Sequence, residues 1–378
     1  MFRELRELLC SGAIRRHQLG AKYLLTPTSL HRKIKKEITE VKKLTNMTTH
    51  SFGLDRFGDN SGLKKFLKRY GLDGVELMQM GKAKKQVLKK ENVIGFHLMH
   101  YPCWYCLWKN DTRTLLEEFG NHICQEDYLE VKKAGVLPPV VLEEIKKNFG
   151  GTDREALLEP FRNNIQFAKQ YDPEYVVFHV TDVLCCEAKK REFRYTDEEI
   201  VDGAAEFLNE LFQEDLGFEL LLENLWWPGL TMTRPEITRR LLDHIKYPRK
   251  GIMLDIGHLL HTDTSLQTEE EAVNYLREVL SRYEDLSIIR GVHYHQTLEG
   301  AFVEETKKHP KVVEGSYRDK CGDIMEYVYH LDHHNPFLNT EAAALIKELN
   351  PEWLVFEFLT ESYEQQEKWL DAQKVYFE

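Results

Sequence analysis

Six short apolar runs in this chain each end on a side chain able to hold a divalent cation. VIGFH ends at His97 and YVVFH at His179; ELLLEN carries Glu223, and GIMLDIGH carries Asp255 and His258. IRGVHYH carries His293 and His295, and WLVFEF carries Glu357. Imidazole nitrogens and carboxylate oxygens are the donors that zinc and manganese take. A buried carboxylate is costly unless it is paired or bound to an ion. For Glu223 and Asp255, metal ligation competes with a structural salt bridge, and for Glu357 with an ion pair to a neighbouring Arg. His97 and His179, taken singly, read more readily as satisfied core histidines, and only their place at strand ends beside the others brings the ligand reading level. His293 and His295 stand two apart on a strand and so share a face, and at least one is expected to be a ligand. YHLDHHNPF adds Asp332, His333 and His334, of which Asp332 and His334 form an Asp-x-His pair expected in a loop on the same side. Six such ends gathered at one edge imply a metal centre.

Apolar runs of about four to eight residues fit strands buried on both faces, as in a parallel sheet covered by helices. In such folds ligands bind at the carboxyl ends of the strands, where these polar residues fall. The remaining pattern supplies the helices. HSFGL (50–54) reads as the first strand and NSGLKKFLKRY as an amphipathic helix closed by Gly71. DGVELM (73–78) is the second strand, VIGFHLMH the third, YVVFHVT the fourth, FELLLEN the fifth, GIMLDIGH the sixth, IIRGVHYH the seventh and WLVFEFL the eighth. A helical stretch over about 111–171 breaks at Gly150 and Gly151, and later helices begin on acidic first turns such as TDEE and TEEE. Eight strands alternating with helices predict a closed (β/α)8 TIM barrel with its metal site at the C-terminal strand ends. No Gly-rich dinucleotide loop or Walker sequence is present, which removes the Rossmann and P-loop readings.

The 378 residues, 42% hydrophobic and 30% charged, have the composition of a globular protein. No apolar run is long enough to span a bilayer, and the charged start lacks a signal-peptide core. The seven cysteines, odd in number, suit a reducing compartment, and a cytoplasmic protein with no membrane partner is expected. The net charge of -11 argues against a general nucleic-acid surface. Residues 1–46 differ, with eleven Lys and Arg against four Asp and Glu. They read as a basic extension that is either dispensable or, through KIKKEITEVKK, a short basic helix for an acidic partner such as a membrane surface or nucleic acid. The barrel is then assigned to residues 47–378.

Three further motifs stand near the site. CWYC (Cys103 to Cys106) has zinc or redox spacing but no second Cys pair, so with Trp104, Tyr105 and Trp108 it reads as an aromatic lid. Cys185 and Cys186 read as free thiols. LWWPG places Trp226 and Trp227 either at the pocket mouth or in the core.

The phrases DGVELM, VVFHV, LLENL, LDIGH, GVHYH and VFEF, over roughly residues 48–365, resemble the xylose isomerase-like barrel superfamily, which includes endonuclease IV. The resemblance implies a core set of Glu223, Asp255, His293 (or His295) and Glu357 around one divalent ion. The endonuclease IV pattern adds His97, His179, His258, Asp332 and His334, which together imply two or three ions. The chain departs from that pattern after strand seven, where HQTLEG replaces small residues, a long loop covers 296 to about 330, and no basic DNA-clamping loop stands out. Nucleic acid is therefore less favoured as substrate than a small sugar or phosphoester.

Three functions follow as expectations. The first is hydrolysis of a phosphoester by clustered zinc or manganese ions. The second is sugar or sugar-phosphate isomerisation or epimerisation on one ion, with Glu223 and Glu357 as the catalytic pair shuttling a proton. The third is a non-catalytic carbohydrate-binding barrel. Between one and three ions are expected, and the sequence is silent on oligomeric state.

Overall fold

The computed structural model describes residues 40–378, apart from 82–85, 121–128, 130, 132 and 312. The eight strands are β1 (Lys42–Thr48), β2 (Gly74–Met78), β3 (Val93–His97), β4 (Tyr175–His179), β5 (Glu219–Glu223), β6 (Lys250–Asp255), β7 (Ile289–His293) and β8 (Trp353–Phe356). All neighbours pair in parallel, and β1 pairs with β8 to close the barrel. Seven of the eight strands lie where the apolar runs predicted them. None of the described helices is long and apolar enough to cross a membrane.

The first strand is a correction. HSFGL is not a strand; Ser51–Leu54 forms a short helix, and β1 runs through KKLTNMT. Its charged, weakly apolar appearance has a physical reason. Only Leu44, Thr45 and Met47 need to be buried, while Lys42 pairs with Glu174 and the Lys43 amide donates to the Asp73 carboxylate at 2.8 Å. Residues 42–46, read from sequence as part of the extension, are therefore strand, and the segment up to residue 39 lies outside the described residues.

Period two along the strands builds the barrel interior in layers. A floor of Leu44, Tyr175, Val177, Leu221, Met253, Trp353 and Val355 packs as one cluster. Two residues further along each of four strands come His179, Glu223, Asp255 and Glu357, so the floor residues fix where the polar ones point. Register does the rest, pairing His179 with Glu223 across β4–β5 and Asp255 with His293 across β6–β7. Gly95 in VIGFH leaves room for the Tyr175 ring, since a Cβ there would lie 2.2 Å from Tyr175 Cζ.

The outer helices follow their caps. Asp197–Leu211 and Glu269–Ser281 start on capping boxes, Thr196 with Glu199 and Thr268 with Glu271. Among its described residues the 111–171 stretch includes the helices Thr112–Phe119, Pro139–Phe149 and Arg154–Ala168. The expected long loop after β7 instead contains two helices, Gly300–Lys308 and Tyr317–Leu331. Its two ends are pinned by an antiparallel bridge between Gln296 and Asn335, which returns Asp332 and His334 to the mouth of the barrel.

Candidate metal centre

All ten sequence-derived candidate ligands sit at the C-terminal ends of the strands or in the segments that follow them. Together they form four groups whose potential ligand atoms lie within 4.8 Å of one another. The first is His97, His179 and Glu223. His97 Nδ1 donates to the Leu98 carbonyl at 2.8 Å, which leaves Nε2 as the inward lone pair, 3.0 Å from Glu223 Oε2. His179 Nε2 is 3.1 Å from the same oxygen.

The second group is Glu223, Asp255, His293 and Glu357. His293 Nδ1 lies 3.1 Å from Glu223 Oε1, 3.0 Å from Glu357 Oε2 and 3.5 Å from Asp255 Oδ2. The third is His258, Asp332 and His334. Asp255 caps the short helix Ile256–Leu260 by accepting from the His258 amide at 2.6 Å, so His258 lies on a helix rather than in a loop. His258 Nδ1 donates to the Asn224 carbonyl at 2.9 Å, and its Nε2 is 3.2 Å from Asp332 Oδ2. His334 Nε2 approaches the same oxygen at 2.8 Å.

The fourth group is His295, His334 and Glu357, with the two imidazoles stacked at 3.8 Å. His293 and His295 thus both face the cluster, in different groups. His295 fits because residue 257 is Gly; a Cβ there would lie 2.1 Å from His295 Cε1. His333, by contrast, turns outward to Glu299 at 3.3 Å.

The cluster carries four carboxylates in a buried setting. Burial opposes charge on Glu223, but His179 and His293 outweigh it and hold the carboxyl well below the ordinary range. Burial likewise opposes charge on Glu357, and His293 and His334 bring it down to about 2. His258 moves the other way, up to about 10, because Asp255 and Asp332 outweigh its burial. The protein's own groups do not complete the hydrogen bonding: His295 Nδ1, His334 Nδ1 and Asp332 Oδ1 are buried without hydrogen-bond partners. Each such orphan costs roughly 1–3 kcal/mol. Converging nitrogen and oxygen donors and orphaned buried atoms are what a bound divalent ion would satisfy, so the residues fit one.

Several supporting residues escaped the sequence reading. Glu76 on β2 is the main one: both its oxygens lie 3.1 Å from His293 Nε2, and it accepts from the Tyr175 hydroxyl at 2.7 Å. This fixes the His293 proton on Nε2 and turns Nδ1 inward, as in a carboxylate–histidine–metal relay. The signal was Glu76 itself, an acidic residue inside the apolar run DGVELM. Asn224, one residue past β5, accepts from the Asp255 amide and donates to its carbonyl, both at 2.9 Å. His261 Nε2 stands 3.7 Å from Asp332 Oδ1.

Trp226 walls the site, edge-on to His258 and His261 at 5.0 Å each, with Trp227 buried behind it. The lid expected from CWYC is corrected. Trp104 and Trp108 pack inward on Phe207, at 5.5 and 5.1 Å, because the Trp104 and Tyr105 amides are drawn down to the buried Asp182 carboxylate. The open side is marked by the His179 and Glu357 side chains, 13% and 14% exposed, and by His100, stacked on His179 at 4.5 Å.

The family model described as xylose isomerase-like TIM barrel matches residues 65–373. The chain belongs to that family. Solved structures with the same architecture include a D-tagatose 3-epimerase-like protein, at 16% identity and a TM-score of 0.45, covering 89% of this chain and 97% of that one. Endonuclease IV from Thermus thermophilus aligns at 13% identity and a TM-score of 0.43, over 89% and 98%. The IolI protein with a bound zinc atom aligns at 14% and 0.39, over 89% and 96%. The search of curated proteins finds no match.

Proposed function

We propose that this protein is a divalent-metal-dependent hydrolase of a phosphoester, built around more than one ion of zinc or manganese. The observation that carries the reading is the division of Glu223. Its Oε2 faces His97 and His179 at 3.0 and 3.1 Å, while its Oε1 faces His293 at 3.1 Å. A carboxylate shared between two ligand groups is the arrangement of a paired metal site. The further group of His258, Asp332 and His334 exceeds what a single ion requires.

His97, His179 and Glu223 would hold one ion, Glu223, Asp255, His293 and Glu357 a second, and His258, Asp332 and His334 a third. Ions so placed acidify water and neutralise charge on a phosphoryl group. The chain supplies the remainder. Glu76 and the Leu98 and Asn224 carbonyls hold His293, His97 and His258 in their ligating tautomers. Glu357, ionised and at the open side, is placed to take a proton from an attacking water. Trp226 excludes solvent from the inner wall. The substrate is a small phosphoester or sugar phosphate; a nucleic acid is less favoured at a net charge of -11.

A second reading, a sugar or sugar-phosphate isomerase or epimerase, is favoured by one feature. Glu223 and Glu357 both approach His293 Nδ1, at 3.1 and 3.0 Å, and with Asp255 complete a four-ligand set with a glutamate pair for proton transfer. Elemental analysis of exhaustively dialysed protein separates the two. Two or three ions per chain, with turnover of a chromogenic phosphoester, support hydrolysis. One ion with sugar epimerisation supports the alternative, and a chain without ions overturns both.

A further inference from the structure

Outside the metal centre, four thiols from the segments after β3, β4 and β7 form two close pairs. Cys103 Sγ lies 3.6 Å from Cys106 Sγ, and Cys185 Sγ lies 3.9 Å from Cys321 Sγ. The two pairs are one neighbourhood: Tyr317 interacts electrostatically with Cys103, Cys185 and Cys321, and Glu118 with Cys103, Cys106 and Cys185. Cys103, Cys106 and Cys185 are buried, and Cys321 is partly exposed.

Free cysteines often pack as small apolar groups. The company of these four is not apolar. The buried Glu118 carboxylate accepts from the Cys185 amide at 3.1 Å, and the buried Lys320 ammonium, next in sequence to Cys321, donates to the Glu118 carbonyl at 2.5 Å. No group of three among these thiols and Glu118 meets the spacing that a metal ion needs, in contrast to the barrel mouth. Two close dithiol pairs with one partly exposed member suit sulfur oxidation better than ion binding.

We propose that Cys185 and Cys321 form a reversible disulfide on exposure to a hydroperoxide, with Cys321 as the attacking thiol and Cys185 as the resolving one. The Cys321 thiolate attacks the peroxide oxygen, breaking the O–O bond; the sulfur becomes a sulfenic acid and the leaving alkoxide or hydroxide takes up a proton. The Cys185 thiol then displaces that hydroxyl, so the S–S bond forms and water leaves. Cys321 is suited to go first. It is the accessible member, and hydrogen bonds from Cys185 and Tyr317, with Lys320 adjacent, hold its thiol below the ordinary range. The bond would tie the helix Tyr317–Leu331, which leads into Asp332, to the segment six residues past His179. It thereby joins two ligand-bearing segments of the barrel mouth, whatever reaction that mouth performs.

The test treats the reduced full-length chain with equimolar hydrogen peroxide, followed by alkylation under denaturing conditions and peptide mass mapping. The expected result is a Cys185–Cys321 cross-linked peptide, two fewer alkylatable thiols per chain, and full recovery with dithiothreitol. Cys185→Ser should stop at a sulfenic acid on Cys321 that dimedone traps, and Cys321→Ser should give neither product, with circular dichroism verifying that each variant is folded. Wild-type protein in which both cysteines remain fully alkylatable, or in which only Cys103 and Cys106 link, would overturn the proposal.

Discussion

Replacing Glu223 by Gln is the most informative single change, because this one carboxylate faces two ligand groups. Gln keeps the shape but loses the negative charge and one acceptor oxygen, so the groups containing His97 with His179 and Asp255 with His293 and Glu357 both lose a shared ligand. The group of His258, Asp332 and His334 does not contain Glu223. The expected metal content therefore falls from two or three ions to at most one, and not to zero if the third group binds. Turnover should fall by about 10³-fold or more, since about 4 kcal/mol of transition-state stabilisation is typical for one preorganised charge contact.

Stability gives an independent reading. Glu223 is 1% exposed, and its charge is matched by His179 and His293, so removing it leaves buried imidazoles without their partner. Stripped of metal, Glu223→Gln should melt below stripped wild type at neutral pH. Loaded at about a hundredfold excess over Kd, wild type should gain roughly 2.7 kcal/mol and the variant much less. Elemental analysis and thermal melts with and without chelator report both effects. A variant with wild-type metal content and turnover, or one that gains as much stability on metal loading as wild type, would refute the shared-ligand argument.

Other changes probe the surroundings. Glu76→Gln leaves His293 without its charged partner, and metal affinity at the His293 group should drop about 10–100-fold in a chelator competition while the fold stays intact. Asp182 is pushed up to about 7 by burial, which outweighs the Trp104 and Tyr105 amides; unfolded, it would titrate at about 3.9. Folding therefore favours its protonated form, so this contribution is complete below about pH 4 and is lost as pH rises through about 7. At roughly 1.36 kcal/mol per unit wild type should lose up to about 4 kcal/mol relative to Asp182→Asn between about pH 4 and pH 7.5, and parallel denaturation profiles for the two would exclude it. Starting the chain at Met47 should abolish folding, because it removes Lys42–Asn46 of β1 and with them the buried Leu44 and Thr45, whereas a start at Glu40 keeps every described strand; soluble, cooperatively melting protein from the shorter chain would contradict the strand assignment.

The sequence exposed the site better than it exposed its own first strand. Strands β3 to β8 are legible because each is an apolar run closed by a polar residue, and both features have one cause: the run faces helices on one side and the barrel floor on the other. β1 lacks that signature. Its buried positions include Thr45, whose hydroxyl donates to the Phe356 carbonyl at 3.1 Å, and its start carries two lysines, of which Lys42 pairs with Glu174. HSFGL looked more strand-like by composition but forms the short helix that follows β1. The helices between β7 and β8 were hidden for another reason: no sequence pattern announces that Gln296 and Asn335 pair, and that pairing makes the excursion a closed unit.

The supporting shell was the least legible part because its members do not end runs. Glu76 lies in mid-strand, beneath the ligand layer rather than in it. There it connects floor to site: Gly95 admits the Tyr175 ring, Tyr175 donates to Glu76, and Glu76 orients His293. Tyr175 is itself held against Trp353, with ring centres 4.7 Å apart. The ligand geometry is thus set from below by apolar packing as much as by the ligands. A barrel whose floor is cast so closely holds the four carboxylates against the imidazoles that match their charge, and a bound cation would take over that role as the imidazoles lose their protons.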